Sequence, residues 1–146
     1  MSAPGQADFD ALLAEVTASA GGAFGHRQHV QLTWLAVRAY GMPAAVDLVC
    51  EGIETTARNA NVPQKYHLTM TRAWVELVAF HVAEHPADDF DAFVAANPAL
   101  LDKQLLSRFY LPRTLASPRA RAEWVEPDAA PFAWGTRVFP VSRRPK

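Results

Sequence analysis

The stretch YHLTMTRAWVELVAFHVAEH, residues 66–85, constrains the fold more than any other part of the chain. It contains no glycine or proline and ends against Pro86. At 100° per residue, Met70, Thr71, Trp74, Val78 and Val82 gather within roughly 60° of His67. Arg72 and Glu76 fall on the far side. This is an amphipathic helix that must bury one stripe along its whole length. His81 faces in as well, as a core histidine with a backbone partner, but about 21 Å from His67 along the axis. His85 suits the helix C-terminus, where the dipole favours it.

The rest of the first 85 residues supplies partners. Asp8 to Ala20 places Phe9, Leu12, Leu13 and Val16 on one stripe, and Gly21-Gly22 stops it. A second helix runs from His26 to Tyr40 with Gly41 as its stop. Pro43 stands as a first-turn proline for a third helix reaching Ala60, and Asn61-Val62-Pro63 is a turn. Short links make consecutive helices antiparallel neighbours. Beyond them, Asp88–Ala96 reads as a short helix. Asn97-Pro98 reads as the cap and first turn of a helix over ALLDKQLLSRFY, and Ser117-Pro118 starts another over RARAEW. From residue 125 onward the pattern dissolves into an extended, aromatic-packed tail that frays at SRRPK. The expected fold is all-α. It is a single helical domain over 1–146, an antiparallel bundle of about four principal helices with short C-terminal ones.

Composition narrows function by exclusion. No apolar run is long enough for a membrane span, and the N-terminus lacks the basic-then-apolar pattern of a secretory signal. A cytoplasmic, bacterial-style protein is the expectation. Cys50 is the single cysteine. It can form neither an internal disulfide nor a thiolate cage, and it sits on a buried face. Residues 1–102 carry 5 Lys/Arg against 12 Asp/Glu, and residues 103–146 carry 9 against 3. Nine basic residues spread over 44 positions, without an RNA-binding motif, speak against nucleic acid. A basic tail lying on its own acidic body accounts for the split more simply. There is no GxGxxG loop, Walker loop or GxSxG elbow.

The chemistry-bearing feature is FGHRQH, residues 24–29. His26 and His29 lie about 60° apart on the second helix, on the face continued by Val30, Thr33, Val37 and Tyr40. Both sit in a first turn. If helices two, three and four run up, down and up, the N-termini of two and four share one end of the bundle, bringing His67 to the pair. Three imidazoles there could grip Fe(II), Zn, Cu or Ni and leave positions open. A helix N-terminus keeps the imidazoles neutral. Glu54, on the flank of a third-helix face centred on Val46, Cys50, Ile53 and Ala57, is a candidate fourth ligand or general base; a solvated, salt-bridged role competes with it. Tyr66 and Thr71 are candidate contacts for a small-molecule substrate, and the GGAFG link a candidate rim. The expected function is a small metal-dependent enzyme with an oxygenase-type or Lewis-acid lyase or hydrolase role, of a size suited to secondary metabolism. A homodimer is compatible with this size. The competing reading is a non-catalytic ligand-binding or protein-interaction domain whose histidines are hydrogen-bonded. Trp34 and Trp74 then belong to the core.

In FGHRQHVQLTWL, KYHLTMTRAW and SPRARAEWVEPD the chain resembles a family of small, uncharacterised bacterial proteins with the pattern FxHxxHxxxxW, KYHxTxT and SPxARxxWVEPD. The resemblance spans most of residues 24–128. It implies that His26, His29 and His67 belong to the family's pattern, with Tyr66, Thr69, Thr71, Trp124 and Glu126. It implies no activity. Leu68 stands where the resemblance would lead one to expect an acidic residue.

Overall fold

The computed structural model describes residues 6–18 and 25–134. The side chain of Val16, the Gly21-Gly22 stop, most of the GGAFG rim and the end of the basic tail at SRRPK lie outside the described residues.

The described chain is all-α, with no strand. Four principal helices form the bundle: α1 (Gln6–Ala18), α2 (His26–Tyr40), α3 (Ala44–Asn59) and α4 (Leu68–Glu84). α2 packs against α1, α3 and α4, and α3 packs against α1 and α4. This central position explains why α2 buries a run, Leu32 to Ala36, rather than a stripe. Trp34 and Trp74 are both core residues, 4% and 3% exposed. On α3 the expected face is buried at Val46, Cys50 and Ala57, with Ile53 packed at its edge. Pro43 is the N-cap of α3 rather than a first-turn residue. Asn61 ends the α3 turn at a φ of 65°, a left-handed conformation that asparagine tolerates better than most side chains.

Two expectations need correction. The first concerns residues 97–110. No α-helix forms there; two 3-10 turns, Pro98–Leu101 and Lys103–Arg108, take its place. A continuous α-helix would pair the Gln104 N–H with the Leu100 carbonyl. The Asp102 carboxylate takes that N–H instead, at 2.9 Å, and the His26 ring takes that carbonyl, also at 2.9 Å. Short polar side chains compete with the helical ladder in this way. Asn97 does not cap the first of these turns, because its side chain points back to the Phe93 carbonyl and closes α5 (Phe90–Ala96).

The second correction concerns α4. Glu76, on its far side, is 2% exposed. The C-terminal segment covers that face after two more short helices, α6 (Pro112–Leu115) and α7 (Pro118–Ala122). α6 has no counterpart in the sequence expectation. α7 begins as expected, with the Ser117 hydroxyl accepting from the Ala120 N–H. His81 donates Nδ1–H to the Leu77 carbonyl of its own helix at 2.8 Å, and His85 is the exposed C-cap.

Two substitutions check this packing. Phe93→Ala, in a fully buried site, is expected to cost about 3–5 kcal/mol by urea denaturation. Ser117→Ala, which removes the α7 cap and the hydroxyl's bond to the Thr114 carbonyl, is expected to cost about 1–2 kcal/mol.

Candidate functional site

His26 and His29 occupy the first turn of α2, and their rings meet edge to face at 6.3 Å between centroids. The His26 ring lies 4.6 Å from Trp74. Its Nε2 is 2.9 Å from the Leu100 carbonyl, an oxygen that can only accept, so Nε2 carries the proton. His29 Nε2 is enclosed by protein. Burial, with a smaller contribution from the neighbouring His26, pushes the His29 pKa down to about 4, so this imidazole is neutral near pH 7.

His67 stands elsewhere, for a reason visible in the register of the helices. His26 is level with Trp74, seven residues along α4 from His67, or about 10 Å along the helix axis. The N-termini of α2 and α4 are therefore staggered by about two turns. His67 is the residue before α4, in extended backbone, and acts as its N-cap. The Met70 N–H donates to His67 Nδ1 at 3.1 Å. Its Nε2–H donates to the Leu115 carbonyl at 2.7 Å. The first bond fixes the proton on Nε2 and the second uses that proton. Both nitrogens are thus engaged by backbone, and the neutral tautomer is the one the site accommodates. Burial lowers the His67 pKa, and the nearby Arg121 guanidinium adds to that, against the raising effect of the Leu115 bond.

The remaining candidates fall into place around this cap. Thr71 is buried and donates its hydroxyl to the His67 carbonyl at 2.8 Å. Tyr66 packs on the core, and its carbonyl accepts from Arg121 at 3.4 Å. Glu54 is exposed on α3 and pairs with Arg58 one turn on, at 3.7 Å. The structure brings His26 and His29 together and keeps Tyr66 and Thr71 beside His67, while Glu54 has the salt-bridged surface role that competes with ligation. Among the described residues no set of three or more His, Cys, Asp or Glu side chains could hold a metal ion.

KYHLTMTRAW and SPRARAEWVEPD meet as the two sides of one seam. The Thr69 hydroxyl donates to the Glu123 carbonyl at 2.6 Å and accepts from the Val125 N–H at 3.1 Å. Arg121 reaches the Gln64 carbonyl at 2.7 Å. The Arg72 guanidinium lies 4.2 Å over the Trp124 ring, and Trp124 donates to Glu126. A residue set that sequence reasoning missed continues this seam. Arg72 and Glu76 form an ion pair at 2.8 Å, Trp134 donates to the second Glu76 oxygen at 2.9 Å, and Tyr110 donates to the Val125 carbonyl at 2.7 Å. Burial and the nearby Glu126 and Glu76 carboxylates raise the Tyr110 pKa, which holds the phenol as a donor. The i,i+4 spacing of Arg72 and Glu76 was readable in the sequence; their burial was not.

No protein-family model, curated protein or solved structure matches the chain.

A groove of about 490 Å³ lies between α1, α2 and the turn before α5. Trp34, Leu35 and Phe90 supply its apolar floor, and Asp8, Glu15, Asp88 and Asp89 its rim. Arg38 joins them, its guanidinium 4.5 Å over the Trp34 ring.

Two outcomes are expected at the histidines. His67→Asn keeps a capping acceptor and loses only the Leu115 bond, so it should cost less than His67→Ala, for which about 2 kcal/mol is expected from urea melts. The folded pKa of His29 lies below its unfolded value near 6.5, so the unfolded chain takes up the extra proton first. The stabilisation is full above about pH 6.5 and is lost as pH falls toward 4, by up to about 3 kcal/mol. His67 adds to it with the same sign. Melts of His29→Gln against pH should show a flatter slope in that window.

Proposed function

We propose that the chain is a non-catalytic helical domain that binds a small ligand, or a short segment of a partner, in the groove beside Trp34. The observation carrying this reading is His67: its two nitrogens are already spent on Met70 and Leu115, so the most distinctive motif of the chain serves its own backbone. The other motif hydroxyls, on Thr69 and Thr71, are spent in the same way. The groove, by contrast, combines an indole floor with carboxylates and a guanidinium that face solvent. That lining favours a flat ligand bearing positive charge, either a cation or a zwitterion whose acidic group reaches Arg38.

Metal chemistry at the α2 histidines is the second reading, and one observation favours it. Burial keeps His29 neutral well below pH 7, and a neutral imidazole is the ligating form. His26 and His29 would then be the protein ligands, with the remaining positions open to a small-molecule substrate and to water.

Elemental analysis of protein purified without a histidine tag, followed by titration with Fe(II), Zn(II), Cu(II) and Ni(II), separates the two. The expected result is no near-stoichiometric metal and no saturable uptake. Metal lost in His26→Ala and His29→Ala but kept in His67→Ala would establish the second reading. Metal lost in His67→Ala, with the fold intact by circular dichroism, would overturn the assignment of His67 as a structural cap.

A further inference from the structure

The segment Glu123–Trp134 crosses the face of α4 that carries Thr69, Arg72, Glu76 and Phe80, without a helix or a strand of its own. The chemistry of the covered face is unusual for a permanent interior. A face that is always covered is served at least as well by apolar side chains, because an ion pair taken out of water repays its desolvation poorly. Here the centre of the covered face is the Arg72–Glu76 pair, with side chains 15% and 2% exposed. The same pair on a face that meets water part of the time loses nothing when uncovered. It then remains an ordinary i,i+4 surface pair.

The attachments to α4 combine polar groups with the Phe80–Trp134 ring contact, and the buried Phe132 anchors the segment on Phe109 and Tyr110 rather than on α4. Trp134 donates to Glu76, Trp124 receives Arg72 on its ring, and Thr69 holds the backbone at Glu123 and Val125. Between these points Ala129 N–H reaches the Phe109 carbonyl at 2.8 Å, and Phe132 stacks with Trp134 and packs on Phe109. None of these contacts involves α1, α2 or α3.

We propose that Glu123–Trp134 is a reversible strap, latched by Trp134 on Glu76 and Trp124 on Arg72. It lifts from α4 while the α1–α4 bundle stays folded. The open form presents a stripe of Thr69, Arg72, Glu76 and Phe80 to solvent.

Native-state hydrogen exchange on the full chain tests this. The amides of Val125 and Ala129 are expected to exchange at least 100-fold faster than those of Leu32 and Val75 in the bundle. Val30→Ala, a buried change in α2 away from the strap, should accelerate Leu32 and Val75 at least tenfold and leave Val125 and Ala129 within twofold. Trp134→Phe, which removes the indole donor to Glu76 and keeps an aromatic ring, though a smaller one, against Phe132 and Phe80, should accelerate Val125 and Ala129 at least fivefold. Should Trp134→Phe fail to fold, Trp124→Leu reads the second latch with the same expectation. Strap amides that rise together with the bundle in Val30→Ala would overturn the proposal, because the strap would then open only with the whole fold. Strap exchange unmoved by Trp134→Phe or Trp124→Leu would overturn the latch.

Discussion

Every backbone carbonyl and N–H taken out of water needs a partner, and in the second half of this chain regular structure does not supply enough of them. Residues 97–134 form two 3-10 turns, two very short helices and an irregular strap, so several main-chain groups are left over. The segment's own side chains supply some of the missing partners, and the long helices supply others. His26 takes the Leu100 carbonyl, His67 takes that of Leu115, and Thr69 takes the Glu123 carbonyl and the Val125 N–H. In the other direction, Arg121 donates to the Gln64 carbonyl. Apolar packing holds the bundle and also docks the C-terminal half on it through Leu100, Leu106, Tyr110 and Phe132; these polar side chains fix the path of its backbone. His26, His67 or Thr69 turned to another use would leave a partly buried backbone group unpaired, at up to about 1–3 kcal/mol each.

That demand bears directly on how the histidines are read. An imidazole has two nitrogens, and an N-cap that also ties a carbonyl consumes both. His67 does both, and Thr71 adds a third bond through the His67 carbonyl. The α2 pair is differently placed. The His26 Nε2 bond to Leu100 resembles the His67 arrangement, and His29 is held neutral by burial. Groups that look equivalent in a motif thus occupy two environments with different chemistry to offer.

The helices of the bundle were legible because apolar spacing and glycine or proline punctuation agree along residues 8–85. The inward direction of His26 and His29 was legible for the same reason. The stagger of α2 against α4 was not, since a helical wheel reports angle and carries no information on height. The burial of Glu76 was also hidden. It depends on Trp134, 58 residues away, and no local pattern announces which segment will cover a charged face. The α-helix expected at 97–110 failed because a distant imidazole and a near carboxylate divert one rung of its ladder.

The seam between α4 and the C-terminal segment has a directionality that reaches beyond energetics. Its histidine and threonine contacts leave α4 as side chains and arrive at Leu115, Glu123 and Val125 as main-chain atoms. Main-chain atoms are the same in nearly every residue. The two sides therefore tolerate mutation unequally: the receiving positions can accept many residue types so long as the path of the chain is kept, while the donating positions accept only residues that keep the bonding group, as serine does for threonine. A saturation scan would find this written as a lopsided map, rigid along 67–71 and permissive at its docking points, although neither side alone holds the two halves together.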